Sequence, residues 1–133
     1  MSEANIQTMQ NLYAAFARGD VGAILDSVSD DVTWGPDSVA TEVPWYGLRQ
    51  GRDGVGDFFA TLQREVEFTQ FEPRFFAATG NYVLVHVDIG YKLKKNGKGA
   101  SVGSLHEFEL EKGKVKSFRG YEDTANVRDA WNS

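Results

Sequence analysis

The first half of the chain carries apolar residues at helical spacing. Over 3–18 they recur every three or four positions, which predicts an amphipathic first helix. Gly19 is placed to end this helix, and a short second helix carrying Ile24 follows it. The same spacing over 52–65 predicts a third helix. The polar positions between the apolar ones indicate that each helix has one face in water.

The second half changes to the period-two alternation that is typical of β-strands. A short strand at 32–34 precedes an irregular, aromatic-bearing loop at 35–51. The longer strand-like segments, separated by glycine-containing turns, are 70–78, 82–94, 100–111 and 114–122. A last helix is predicted to begin at Asp123, its N-cap. Helices followed by a run of antiparallel strands predict an α+β fold, in which a curved sheet wraps around the N-terminal helices and leaves a hollow.

The strand over 100–111 places a histidine among apolar residues. His106 shares one face of this strand with Phe108 and Leu110, so a register that buries them also buries the histidine. A buried imidazole needs hydrogen-bond partners and can exchange a proton near neutral pH. The pattern therefore predicts a pocket at His106. The alternative is a core histidine that is satisfied by a backbone carbonyl or by Tyr13.

Composition and charge narrow the class of protein. A chain of 133 residues with 41% hydrophobic and 25% charged residues predicts a single soluble domain over 1–133. The net charge of −5 argues against nucleic-acid binding. Cysteine is absent, which excludes disulfides and thiolate chemistry. No signal peptide or bilayer-length apolar run is visible, so we expect a cytoplasmic protein without a membrane partner.

Three segments, in this order and at these separations, resemble one known group of proteins. They are MQNLYAAFARGDVGAILDSVSDDVTW at 9–34, VPWYGLRQGRDGVGDFF at 43–59 and HEFELEKGKVKSFRGYEDT at 106–124. The chain resembles the SnoaL-like and ketosteroid isomerase-like branch of the nuclear transport factor 2-like superfamily. That resemblance implies a cone-shaped, cystatin-like α+β barrel around an apolar pocket, and a homodimer formed through the sheet.

The resemblance also implies roles for individual residues. Tyr13 matches a tyrosine that donates a hydrogen bond to the developing enolate in steroid isomerases, and His106 matches the position of an oxyanion-stabilising acid. The cyclase relatives pair a histidine at this position with an aspartate on the last strand, where this chain has Gly120. The steroid isomerase base lies shortly after the first strand, where Asp37 falls one position late.

The strand over 82–94 has one face of valines and one polar face. His86 and Asp88 lie on the polar face, and the epoxide hydrolase-like relatives place an arginine and an aspartate at the same spacing. Composition alone favours deeper burial of the valine face. The resemblance instead assigns His86 and Asp88 to the pocket and the valine face to the dimer contact. In an apolar cavity a carboxylate beside an imidazole can act as general base and acid. The alternative is a solvent-exposed polar face on an edge strand.

The remaining candidates are aromatic residues and one acid. They would contact a hydrophobic ligand at the walls and opening of the pocket, although core packing explains the aromatic residues equally well: Trp34, Trp45, Tyr46, Phe58, Phe59, Phe108, Phe118 and Glu122. Glu122 shares a strand face with Phe118 and Gly120, which makes it a candidate pocket acid. A metal site is not expected, since His86 and Asp88 have only His106 as a third ligand.

Three functions stay open at this stage. The leading hypothesis is a cofactor-independent enzyme of isomerase, cyclase or epoxide hydrolase type that acts on a small apolar molecule. Asp88 would be its base, His86 would tune that base, and His106 with Tyr13 would stabilise negative charge on the substrate oxygen. The second hypothesis is a non-catalytic binding module for a small hydrophobic ligand, which the glycine at position 120 favours. The third is a protein-interaction domain that uses the valine face.

Overall fold

Six strands form one curved sheet, and the helices pack on its inner face. The computed structural model describes residues 2–133. Its elements in chain order are α1 (Ser2–Ala17), α2 (Val21–Asp26), β1 (Val28–Trp34), β2 (Arg49–Gln50), α3 (Gly51–Glu65), β3 (Val66–Thr79), β4 (Tyr82–Leu93), β5 (Gly99–Glu111), β6 (Lys114–Tyr121) and α4 (Thr124–Asn132). The strand order is β2-β1-β6-β5-β4-β3, in which only β1 and β6 run parallel. The predicted α+β fold with a curved, mostly antiparallel sheet is confirmed.

The helix and strand boundaries follow from local chemistry. Gly19 has φ +73° and ends α1, and the side chain of Asp20 caps α2 by accepting from Ala23 N at 3.0 Å. Asp123 caps α4 as predicted, because its Oδ1 accepts from Asn126 N at 3.1 Å. Strand β2 was not predicted, since two residues are too short for alternation to be visible.

Strand β3 changes register twice along its length. It lies at the edge of the sheet, where Pro73 removes no hydrogen bond to a further strand. Its pairing with β4 shifts between Phe68 and Gln70 and again between Pro73 and Phe75. After the second shift Phe76 is half-buried against α1, whereas Phe75 is exposed on the outer face. A single alternation drawn through β3 therefore assigns part of the strand to the wrong face.

The two faces of β4 are opposite to the assignment that the resemblance implied. Val83, Val85 and Val87 are fully buried and point toward the helices. The alternation of the strand then turns His86 and Asp88 to the outer surface of the sheet. The expectation that the valine face is the dimer contact is wrong, because these valines are part of the core that the helices cover. The deeper burial that composition favoured for the valines is what the structure shows.

Within residues 2–133 no helix has the length and hydropathy that crossing a membrane would require.

Candidate functional site

A cavity lies between the helices and the inner face of the sheet, and we call it the inner cavity. Its volume is about 100 Å³, which is room for several water molecules or a small organic molecule. The wall is made by twenty residues, most of them aliphatic or aromatic: Leu12, Tyr13, Phe16, Trp34, Pro36, Trp45, Phe58, Phe59, Leu62, Val66, Phe68, Phe71, Ile89, Tyr91, Val102, His106, Phe108, Phe118, Glu122 and Val127. A few polar groups in an apolar wall are typical of small-molecule sites.

The first polar group of the inner cavity is a tyrosine–histidine pair. The hydroxyl of Tyr13, on α1, lies 2.6 Å from Nδ1 of His106, on β5. Burial lowers the pKa of His106 to about 4, and burial also raises the pKa of Tyr13 well above its ordinary value. Both side chains are therefore neutral at neutral pH. When the Tyr13 hydroxyl donates to Nδ1, the histidine proton is on Nε2, where it can be donated to a ligand.

The second polar group is a carboxylate at the end of β6. Glu122 accepts a hydrogen bond from the Tyr46 hydroxyl at 2.6 Å and another from the Ser104 hydroxyl at 3.0 Å. Burial raises the pKa of Tyr46, and the charge of Glu122 raises it further, so this hydroxyl remains a donor. Ser104 and His106 are two positions apart on one face of β5, about 7 Å along the strand. The carboxylate and the tyrosine–histidine pair can thus approach one small ligand from two places.

Trp34 supplies a further donor in the wall of the inner cavity. Its indole packs on the ring of Phe118 with centroids 4.6 Å apart, and the residue is 2% exposed. Its Nε1 is the one buried side-chain nitrogen or oxygen without a hydrogen-bond partner among the described residues. A buried donor without a partner is uncommon in folded proteins. It is found here next to the aromatic rings of Phe58 and Phe59, at the boundary of the cavity.

The C-terminal helix α4 and the loop before β2 contact each other beside the inner cavity. Arg128 on α4 donates from Nε to Oε2 of Glu42 at 2.7 Å. This contact lowers the pKa of Glu42 to about 2, through the hydrogen bond from Arg128 first and the one from Asn132 second. Trp45 in the loop and Trp131 on α4 meet edge to face, with centroids 6.0 Å apart. Because Trp45 also lines the cavity, the loop–helix contact fixes part of the wall.

His86 and Asp88 lie outside the inner cavity. The carboxylate of Asp88 accepts from Arg74 Nε at 2.6 Å and is 3.2 Å from His86 Nε2. The hydrogen bond from Arg74 is the main cause that holds the pKa of Asp88 below its ordinary value. The side chain of His86 is 41% exposed and stacks on Phe75 at 5.3 Å. The prediction that this pair faces the pocket is wrong, since β4 turns its valines inward.

Gly120 stands where the cyclase relatives have an aspartate, and the space around it leaves little room for a side chain. It is the direct cross-strand partner of His106. A β-carbon built at Gly120 would lie 3.9 Å from Cδ2 of His106, but only 3.2 Å from Cβ of Pro36 and 3.3 Å from Cζ of Phe118. A carboxylate at this position would therefore reach the imidazole only if Pro36 and Phe118 moved. This chain instead fills the space beside His106 with those two side chains.

The structure brings together most of the residues that the sequence singled out. Seven of the eight predicted wall residues border the inner cavity, and Tyr46 does not but holds Glu122. Tyr91 was missed; it lines the cavity and its hydroxyl donates to Asn126 Oδ1 at 2.8 Å. Tyr91 lies on the same face of β4 as the buried valines, and this period-two spacing was the sequence signal that could have identified it. Within residues 3–133 no group of three or more histidine and acidic side chains is arranged to hold a metal ion.

Comparison with known proteins places these observations in a family. The family model of the SnoaL-like domain matches residues 9–118. An NTF2-like protein of unknown function from Burkholderia pseudomallei K96243 is similar over 100% of both chains, with 25% identity and a TM-score of 0.89. An NTF2-like protein from Burkholderia xenovorans LB400 has 26% identity and a TM-score of 0.87, over 98% of this chain and 97% of that one.

A third similar structure contains a small molecule. TerC, co-crystallised with polyporic acid, has 22% identity and a TM-score of 0.83, over 98% of this chain and 99% of that one. At this identity the likeness shows a common fold. No curated protein matches this chain.

Proposed function

Because this chain belongs to the SnoaL-like domain family, we propose that it is an enzyme that moves a proton on a small, largely apolar carbonyl compound. The reaction would be an isomerisation or a cyclisation, performed by side chains without a cofactor. One observation carries this proposal. An apolar cavity holds a carboxylate and a neutral histidine with separate hydrogen-bond networks, and a proton acceptor and a proton donor are the two groups that such a reaction needs.

Glu122 is the proposed base. Its two oxygens are oriented by Tyr46 and Ser104, and each oxygen keeps a further lone pair for a substrate proton. The carboxylate would take a proton from the carbon next to the substrate carbonyl. The electron pair of that C–H bond would move onto the carbonyl oxygen as an enolate. With an unsaturated ketone, return of the proton to a different carbon of the dienolate would complete an isomerisation. In a cyclisation, the enolate carbon would attack a second carbonyl carbon, and Glu122 would return the proton to the alkoxide that forms.

His106 and Tyr13 are the proposed stabilisers of the enolate. With the Tyr13 hydroxyl donating to Nδ1, Nε2–H of His106 can donate to the oxygen on which negative charge develops. A neutral imidazole is suited to this role, and burial keeps it neutral by lowering its pKa to about 4. Tyr13 thus acts as a positioning residue, because it selects the tautomer. His86 and Asp88 have no part in this scheme.

The experiment compares asparagine and glutamine at position 106. Wild-type protein is incubated with a panel of enones and ketones in D2O, and deuterium incorporation is followed by NMR. His106→Asn keeps an acceptor near Nδ1 for Tyr13 but loses Nε2, and we expect at least a tenfold lower exchange rate. His106→Gln places an amide near Nε2 and should recover part of the rate. The matched control, His86→Asn, should exchange like the wild type. Equal rates in all four proteins would contradict the assignment.

The second candidate is a non-catalytic binding module for a small hydrophobic ligand. It is favoured by Gly120, which leaves His106 without the carboxylate partner of the cyclase relatives. The co-crystal of TerC with polyporic acid supports a small organic ligand under either candidate. Tight binding of a panel compound without exchange or conversion would favour the binding module over the enzyme.

We also propose that two copies associate through the outer face of the sheet. Phe75, His86, Leu105 and Tyr121 are consecutive cross-strand partners in a row from β3 to β6. Phe75, Leu105 and Tyr121 are 56%, 38% and 51% exposed, which is unusual for a row of large apolar side chains. Sedimentation of the wild type and of Leu105→Glu would test this: a dimer that the charge converts to a monomer is expected.

We also propose a cytoplasmic location, since a composition without cysteine fits a reducing compartment.

A further inference from the structure

A second apolar space adjoins the inner cavity, and we call it the outer cavity. Its volume is about 390 Å³. It is bordered by the end of α1, by α2, by the last turn of α3 and by the start of β3. Five residues line both cavities: Phe16, Phe59, Leu62, Val66 and Phe68. The same side chains therefore form the boundary between the two spaces.

Three of the five residues at this boundary are aromatic, namely Phe16, Phe59 and Phe68. Phe16 and Phe68 are half-buried, and their ring centroids are 5.7 Å apart. Phe16 also meets Phe59 at 5.8 Å. Side-chain rotations of this kind occur on much shorter timescales than movements of helices. A ligand that extends from one cavity into the other therefore requires these side chains to change rotamer.

The outer cavity exists because α1 and α2 are separate helices. Gly19 has φ +73°, a conformation that glycine adopts without strain, and its backbone N–H donates to Phe16 O at 3.0 Å. The chain turns there, and α2 leaves the direction of α1. Val21 and Ile24 of α2 then form the far wall of the outer cavity. Both residues are aliphatic, and neither of them lines the inner cavity.

Polar groups lie only at the rim of the outer cavity. Gln63 and Glu67 are exposed, and the Lys94 ammonium donates to Gln63 O at 2.6 Å. The interior is formed by aliphatic and aromatic residues, so it suits an apolar group that enters from water or from the inner cavity. The polar reaction groups Glu122 and His106 line only the inner cavity.

We infer that the substrate has two parts: a compact carbonyl-bearing head that occupies the inner cavity and an apolar tail that occupies the outer cavity. This inference rests on the proposed function, because the head is defined by Glu122 and His106. The tail gains affinity by leaving water, and the length of the tail is limited by the rim at Lys94. The two cavities share the side chains that separate them, so a tail on the same molecule as the head reaches the outer cavity when these side chains change rotamer.

The test uses a series of phenyl ketones whose alkyl chain grows from about one to about eight carbons, because each added methylene buries more apolar surface. Binding is measured by calorimetry, which does not depend on turnover. We expect the affinity to rise by about fourfold for each added methylene until the outer cavity is filled. Val21→Trp fills the outer cavity from its far wall and should remove this gain. Val39→Trp makes the same substitution at a position that is 87% exposed and lines neither cavity, so the gain should persist.

A variant at the rim guards against loss of folding. Gln63 is exposed, so Gln63→Trp covers the outer cavity with little risk to the core, and it decides the question if Val21→Trp does not fold. An affinity that is independent of chain length in the wild type, or a gain that persists in the filled variant, overturns the inference. The gain in affinity can be lost in the filled variant while the wild type exchanges deuterium into no ketone. That result supports the inference and contradicts the proposed enzymatic function.

Discussion

The two histidines lie on neighbouring rows of the same sheet and have opposite surroundings. His106 belongs to the row Val85–His106–Gly120 on the inner face, and His86 belongs to the row Phe75–His86–Leu105–Tyr121 on the outer face. The inner histidine has one neutral partner, Tyr13, and burial lowers its pKa to about 4. The outer histidine is 41% exposed and meets the ion pair of Asp88 and Arg74.

This difference shows why a pair of polar residues is not a site in itself. Asp88 and His86 have the residue types and the spacing of an acid–base pair, but they are in contact with water and with an arginine. There, water and the arginine support the charge, so the pair is an ordinary surface cluster. Tyr13 and His106 are 93 positions apart in the chain and meet only because α1 packs across the sheet. The apolar surroundings lower the pKa of His106 and raise the pKa of Tyr13, so both side chains stay neutral over a wider pH range than in water.

The largest expected effect concerns packing on the two faces. Phe108 is 2% exposed and stacks on Phe118 at 5.0 Å, whereas Phe75 is 56% exposed. Phe108→Ala should lower the free energy of unfolding by about 3–5 kcal/mol through lost burial and a new void. Phe75→Ala should change it by no more than about 0.5 kcal/mol. Urea denaturation of both variants gives the two values; equal losses would remove the distinction between inner and outer face.

The next effect is a pH dependence of stability that belongs to the inner histidine. The pKa of His106 in the folded protein, about 4, lies below the ordinary value of 6.5, so between these values the unfolded chain binds more protons. Stability is therefore complete above pH 6.5, decreases as the pH falls toward 4, and loses nothing further from this group below 4. The slope is at most about 1.4 kcal/mol per pH unit.

The variants His106→Asn and His86→Asn separate this contribution from that of the carboxylates. The difference in unfolding free energy between pH 7 and pH 4.5 should be smaller in His106→Asn than in the wild type. It should persist in His86→Asn. If the pH-dependent difference instead disappears in His86→Asn, protonation of the outer histidine is the one that is coupled to unfolding.

The smallest effect compares two hydroxyl groups. Tyr13→Phe removes the partner of His106 Nδ1 in the apolar wall of the inner cavity, and a nitrogen that is left without a partner inside the protein costs about 1–3 kcal/mol. Tyr121 is 51% exposed on the outer face, so Tyr121→Phe should cost less than about 0.5 kcal/mol. Thermal unfolding of the two variants at pH 7 is sufficient to compare them. A harmless Tyr13→Phe would indicate that water reaches His106.

The fold could be predicted because its signals are local. Helical spacing, glycine turns and the alternation of β4, β5 and β6 are all readable within a few residues. His106 could be found in the same way, since alternation places it on the strand face that Phe108 and Leu110 identify as buried. The bulges of β3 could not be read, because Phe75 and Phe76 are both phenylalanine and either could face inward.

The composition of the site was harder to predict than its existence. Glu122 and Tyr46 are 76 positions apart, and nothing in the local sequence of either residue indicates that they share a hydrogen bond. The resemblance assigned the valine face of β4 to the dimer contact, although the composition of the strand favoured burial of that face. Four branched apolar residues on one face, Val83, Val85, Val87 and Ile89, indicated the core correctly.

The most direct measurement of the central claim, that the inner face is the reactive one, exchanges one carboxylate for an amide on each face. Deuterium exchange into a ketone that the wild type accepts is measured for Glu122→Gln and Asp88→Asn, with folding checked by circular dichroism. We predict a loss of at least about 100-fold for Glu122→Gln and a rate within about twofold of the wild type for Asp88→Asn. A large loss in Asp88→Asn together with full exchange in Glu122→Gln would contradict the account.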